Sequence, residues 1–321
     1  MSWMPIGLCF VKPVTIDIFG AVQPSPLVKI CILLALLGVN TGRASLCIGA
    51  TQENGNYDRL DRAAELIRLG ELARAATELE VVLRKRPREA NALNLLGVVR
   101  AQQHRYVEAE QLFFRALKES PKLAGAFVNL GRLYLDQQKA ERALWAFAEA
   151  GKLAPDDLNI SFNLASLYSE RQDFQRALAY LEKIPRSAWG IDELYLSTKC
   201  YLAAGRTKEA IDLVAPLKRP GALKADQAAG FAALFLKANL PDDALALLEG
   251  AREKEPNSFL LLYESGASFA QKKDWIRAEE FYAAALALKP ESVATLRDLA
   301  RIARVRGEFE KALAYPQDPP D

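Results

Sequence analysis

Side chains able to carry bond chemistry are few in this chain, and their spacing argues for structural roles. His104 is the single histidine among 321 residues, so His-paired metal centres are excluded on count, and Ser-His-Asp triads are set aside with them. Three cysteines, Cys9, Cys31 and Cys47, precede residue 50. Cys200 stands alone in the remainder, which removes thiolate metal sites and an intrachain disulfide from that part. Asp156-Asp157 and Asp242-Asp243 offer paired carboxylates of the kind used in acid–base work. Both pairs precede or open helices, where a carboxylate meets the positive end of the helix dipole, and helix-end stabilisation is the expected role. No phosphate-binding glycine loop follows a strand pattern. Asn159-Ile-Ser161 has the N-glycosylation form but falls on a helix. Amide chemistry is what remains. Asn129 and Asn163 stand 34 residues apart, and a side-chain amide both donates to and accepts from a peptide backbone.

That interval belongs to the whole chain. Ala75, Ala109, Ala143, Ala177, Ala210, Ala244, Ala278 and Ala312 follow one another at 34 residues, with one step of 33 between Ala177 and Ala210. Pro87, Pro121 and Pro155, then Pro256 and Pro290, run in step. A fixed period of this size means stacked copies of one small unit, each packed on its neighbours. With each alanine at position 20 of a unit, copy 3 starts at Ala124 and places Phe127, Leu130, Gly131 and Tyr134 on one helical face. Ala143, Leu144, Phe147 and Ala150 give a second helix the same spacing. Position 8 is small in every copy (Ala63, Gly97, Gly131, Ala165, Thr198, Ala232, Gly266, Ala300), and we expect it to face the alanine across a close helix pair. Position 15 (Gly70, His104, Gln138, Gln172, Gly205, Asn239, Lys273, Gly307) marks the turn between the two helices, where Gly and Asn suit a left-handed residue.

The pattern Phe127, Leu130-Gly131, Tyr134, Ala143, Phe147, Pro155 resembles the tetratricopeptide repeat, with Phe in place of the usual Trp. Copy 2 (Leu93, Leu96-Gly97, Ala109, Phe113, Ala116, Pro121) and copy 7 (Leu262, Gly266, Phe269, Ala278, Tyr282, Ala285, Pro290) match nearly as well. The resemblance covers residues 57–315. It implies an all-α fold: an α-solenoid of about eight antiparallel helix pairs forming a right-handed superhelix. Repeats fall near 57–89, 90–123, 124–157, 158–190, 191–224, 225–258, 259–292 and, incomplete, 293–315. Copies 4 and 5 are irregular around Pro185 and Pro220, and a bend or a displaced helix pair is expected there.

In proteins of this kind, positions 2, 5, 6, 9, 12 and 13 of the first helix line the concave surface and hold peptides. Carried over, they give Asn91, Asn94 and Gln102 in copy 2, then Val128, Asn129, Arg132 and Asp136 in copy 3. Copy 4 adds Asn159, Phe162, Asn163, Ser166 and Glu170. The series at position 6 is short, because copies 2 and 5 hold Leu95 and Leu196 there. The lysine and arginine set of a chaperone-tail carboxylate clamp is absent. Arg297, Arg301 and Arg304, spaced i, i+4, i+7 in copy 8, form a second patch suited to an acidic segment. No cofactor or metal is implied.

Charge and the first 50 residues bound the remaining questions. Lys and Arg number 42 against 40 Asp and Glu, and the small excess lies before residue 45. A neutral body gives no reason to expect nucleic acid. Ile30 to Val39 is an unbroken apolar run behind Lys29, with small residues after it at Gly42-Arg43-Ala44 and Ile48-Gly49-Ala50. It is too short to cross a bilayer and has the form of a secretory signal; the alternatives are a short membrane anchor or a buried helix. Residues 1–50 are therefore read as an export segment, with 1–27 an upstream extension that is not made. Residues 51–56 then form a linker and 316–321 a disordered tail. The function expected is a non-enzymatic, exported scaffold, periplasmic or extracellular, that binds a protein or peptide. Membrane contact is expected only through an uncleaved N-terminal segment. The alternative is the recognition module of a larger enzyme or envelope assembly continuing past residue 321.

Overall fold

A computed structural model describes residues 58–315. The export segment, the linker and the tail lie outside the described residues. All regular structure among the described residues is helical, in sixteen α-helices. They are α1 (58–68), α2 (Leu72–Lys85), α3 (Ala90–Gln102), α4 (Tyr106–Glu119), α5 (Ala124–Asp136), α6 (Ala140–Leu153), α7 (Leu158–Glu170), α8 (Phe174–Leu181), α9 (Ile191–Ala203), α10 (Thr207–Val214), α11 (Ala225–Lys237), α12 (Pro241–Arg252), α13 (Phe259–Gln271), α14 (Trp275–Leu288), α15 (Val293–Val305) and α16 (Phe309–Ala314). Odd-numbered helices are the first of each pair (helix A) and even-numbered ones the second (helix B). The chain forms two compact units, divided between Leu164 and Ala165 within α7.

The turn inside each pair has one conformation. All eight residues at position 15 lie in the left-handed region, with φ between 58° and 78°. Gly and Asn suit this, but His104, Gln138, Gln172 and Lys273 adopt it as well. The turn is held by a bond reaching back across five residues, from Glu71 N–H to the Leu66 carbonyl in copy 1 and from Glu308 N–H to the Ala303 carbonyl in copy 8 (2.8 Å each). It recurs in every copy and satisfies a carbonyl that the helix end would otherwise orphan.

The alanine ladder is a packing ladder. Seven of its members have no exposed surface, and Ala312 has 2 %. Position 8, where it is glycine, also meets an aromatic ring of helix B. A Cβ on Gly97 would stand 2.6 Å from the Phe113 ring, on Gly131 2.7 Å from Phe147, and on Gly266 2.7 Å from Tyr282. Each ring sits at position 24, one turn beyond the alanine on helix B. Where position 8 carries Ala63, Ala165, Thr198 or Ala232, position 24 holds Leu79, Leu181, Val214 or Leu248. The glycine makes room for a ring, and close approach of small residues to one another is only part of the reason for it.

The irregular second helices of copies 4 and 5 lie in the second unit, where α8 and α10 have 8 residues against the 14 of α2, α4, α6 and α14. Pro185 follows α8, and Trp189 pins the loop by donating from Nε1 to the Ile184 carbonyl at 2.8 Å, with Arg186 stacked 3.7 Å over its ring. After α10, a short 3-10 turn (Ala215–Lys218) lays the Lys218 carbonyl against Gly250, where a Cβ would come within 2.6 Å. The aspartate pairs are helix-end groups. Asp157 accepts from the N–H groups of Asn159 and Ile160 at the start of α7. Asp242 and Asp243 occupy the first turn of α12 behind Pro241 and pair with Lys272 and Lys218.

Candidate functional site: the helix-A face

Each helix A turns one stripe away from its helix-B partner, and that stripe carries the polar residues singled out above. In the first unit it is formed by α3, α5 and the first half of α7. Copies 2 and 3 are joined there by a side-chain amide bond, with Asn129 Nδ2 donating to Asn94 Oδ1 at 3.0 Å. Both residues are half-buried. The bond leaves the Asn94 NH2 group and the Asn129 carbonyl oxygen with capacity to spare, which is one donor and one acceptor side by side. Asn163 does not extend this pair; its Nδ2 donates to the Asn159 carbonyl of its own helix at 2.7 Å. The shared register of Asn129 and Asn163 thus does not make a continuous amide ladder, and the pairing runs from position 5 to position 6 instead.

Arg132 lies one turn further along α5 and is half-buried. Burial depresses its pKa, opposed by the charges of Asp157 and Asp136. Asp136 is exposed on the same helix, and its carboxyl is pushed up by desolvation, with His104 and Arg132 acting against that. His104 itself is held at the turn by a 2.9 Å hydrogen bond between Nδ1 and the Tyr106 hydroxyl. Val128 and Phe162 are half-buried apolar residues of the same stripe. Ser166 and Glu170 fall in the second unit with the rest of α7, half-buried and exposed respectively.

In the second unit, Arg297, Arg301 and Arg304 are exposed along α15. Arg301 is paired with Asp298 on its own helix at 2.8 Å. Beside them stand three residues that sequence reasoning missed. Tyr263 is at position 5 of copy 7, Glu264 and Asp298 at position 6 of copies 7 and 8. Tyr263 Oη donates to Asp298 Oδ2 at 2.8 Å. Burial, and then the charge of Asp298, raises the Glu264 carboxyl to about 7. The register that selected Asn129 and Asn163 would have found both acids had it been read to the end of the chain. Cys200 is buried and burial pushes its thiol up, so it is the inert filler expected.

Among the described residues no cluster of three or more His, Cys, Asp or Glu is placed to hold a metal ion. None of their helices is long and apolar enough to cross a membrane. The face can therefore offer amide, guanidinium, carboxylate and apolar contacts to a peptide-like surface.

A family model described as tetratricopeptide repeat matches residues 60–124, 128–190 and 230–293. Among solved structures, the C-terminal part of a TPR repeat-containing protein from Cytophaga hutchinsonii is 16% identical, with a TM-score of 0.58 over 75% of this chain and 99% of that one. A tetratricopeptide repeat protein from Parabacteroides merdae is 17% identical, with a TM-score of 0.52 over 78% and 99%. PilW, a widely conserved type IV pilus biogenesis factor, is 17% identical, with a TM-score of 0.50 over 66% and 97%. These likenesses bear on the fold. No curated protein matches the chain.

Proposed function

This chain belongs to the tetratricopeptide repeat family, and from that premise we propose that it is a non-catalytic scaffold whose helix-A face in the first unit holds an extended peptide or a partner helix. The observation that carries the reading is the Asn94–Asn129 pair. A cross-copy amide bond presets the two side chains, so their remaining donor and acceptor can meet one peptide group with little further loss of rotamer freedom. Val128 and Phe162 add apolar contact, and Arg132 adds a charge-assisted donor. We further read the protein as exported, on the support of the apolar run from Ile30 to Val39 behind Lys29.

Panning a random peptide library on the full chain tests the groove. Enriched peptides should bind the Asn94→Ala/Asn129→Ala variant about tenfold or more weaker, the loss of about two hydrogen bonds, with helicity unchanged. Unaltered affinity would remove this face as the site. Amino-terminal sequencing of the protein recovered from a bacterial envelope fraction tests export, and a mature start beyond residue 40 is expected.

A further inference from the structure

Two stripes of helix A meet between neighbouring copies. The Asn94–Asn129 and Tyr263–Asp298 bonds each run from position 5 of one copy to position 6 of the next. Positions 5, 9 and 12 share the stripe turned to the following copy, and positions 3, 6 and 10 share the stripe turned to the preceding one. Burial agrees with this. Positions 3, 6 and 10 are buried or half-buried throughout copies 2–8, and positions 5, 9 and 12 throughout copies 1–7, except for Ala233. At the two ends of the array the stripes are exposed. Copy 1 holds Asp58, Asp61 and Glu65 at positions 3, 6 and 10, all exposed. Copy 8 holds Arg297, Arg301 and Arg304 at positions 5, 9 and 12, likewise exposed. The surfaces that elsewhere join copy to copy are thus acidic at one end and basic at the other.

These charges are largely unspent. Among the described residues, Asp58, Asp61, Arg297 and Arg304 have no ion-pair partner. Glu65 accepts from Arg68 and Arg301 pairs with Asp298, at 2.8 Å each and within one helix. The basic neighbours Arg59 and Arg62 turn to Glu78 of α2. We propose that a second copy of this chain docks its α1 on α15, in the place of a further helix A, so that copies join head to tail. The offset of one position between copies sets Arg297 opposite Asp61, with Asp58 one turn before it, and Arg301 opposite Glu65. The next step brings Arg304 to Arg68, which Glu65 holds, so the attraction rests on the first two. Leu313 of α16 adds apolar surface; it is 76 % exposed, whereas Ala76 and Leu178, its counterparts at position 21, are buried. The contact is heterologous, leaves one end of each sign free, and can therefore repeat.

Sedimentation velocity of the full chain at low ionic strength tests the contact. Wild type should form oligomers that grow with protein concentration and dissociate as salt is raised. Arg297→Glu/Arg301→Glu and Asp61→Arg/Glu65→Arg should each associate about tenfold or more weakly, because like charges then meet. An equimolar mixture of the two variants should associate again, since each offers the other an end of opposite charge. Should a double reversal fail to fold, Arg297→Glu and Asp61→Arg singly repeat the exchange at the step from position 5 to position 6. A monomeric wild type, a reversal that associates as wild type does, or a mixture that does not recover overturns the contact. Association through the apolar run from Ile30 to Val39 would survive both reversals, and so falls among the overturning results.

Discussion

At the scale of single residues, the recurring unit is a glycine fitted to a ring. Gly131 gives the Phe147 ring the volume that Ala165, in the next copy, leaves to the smaller Leu181. Adding one methyl at Gly131 forces a fully buried ring off its rotamer or spreads the helix pair, because interiors at this density have no slack. Gly131→Ala should therefore destabilise by about 1–3 kcal/mol. Phe147→Leu added to it recreates the alanine–leucine pairing of copies 1, 4 and 6, so the double variant should be more stable than the sum of its singles. A double-mutant cycle in urea measures this, and strict additivity would show that the ring and the glycine are not coupled.

At the scale of elements, the turn after each helix A is more uniform than its sequence. Eight different contexts reach one left-handed residue and one bond back across five residues, because the two helices of a pair can pack at close range only if the chain reverses within that short turn. Lys273 adopts φ 60° at a strain that glycine would not bear. Lys273→Gly should raise stability by about 0.5–1 kcal/mol, the relief of left-handed strain exceeding the extra entropy of the unfolded chain. A lowered melting temperature would show that the lysine stem contributes packing that outweighs its backbone strain. The same uniformity explains why helix-A faces can differ freely. The Asn94–Asn129 bond between copies 2 and 3 and the Tyr263–Asp298 bond between copies 7 and 8 join equivalent registers, position 5 of one copy to position 6 of the next.

At the scale of the molecule, a stack of helix pairs has little long-range structure, and damage should stay near its source. Ala143 has no exposed surface, so Ala143→Leu should overpack copy 3 and destabilise by about 1–3 kcal/mol. Hydrogen exchange should quicken in α5 and α6, while α13 and α14 keep their protection. Uniform loss across all helices would mean that the chain unfolds as one cooperative body. The period, the helix pairs, the buried alanines and the turn residues were all legible in the sequence, because each depends on contacts within one repeat or with the next, and those repeat every 34 residues. The glycine–ring pairing was also written there, in the joint variation of positions 8 and 24, though the period alone drew the eye to the alanines. The site was less legible. That Asn129 bonds Asn94 while Asn163 turns to its own helix depends on how side chains of adjacent copies approach, and the register common to all copies carries no information on that. The same holds for Glu264 and Asp298, two ordinary surface acids in the sequence. Only the packing around α13 and α15 half-buries them and brings the Tyr263 hydroxyl onto Asp298, and desolvation then raises the Glu264 carboxyl.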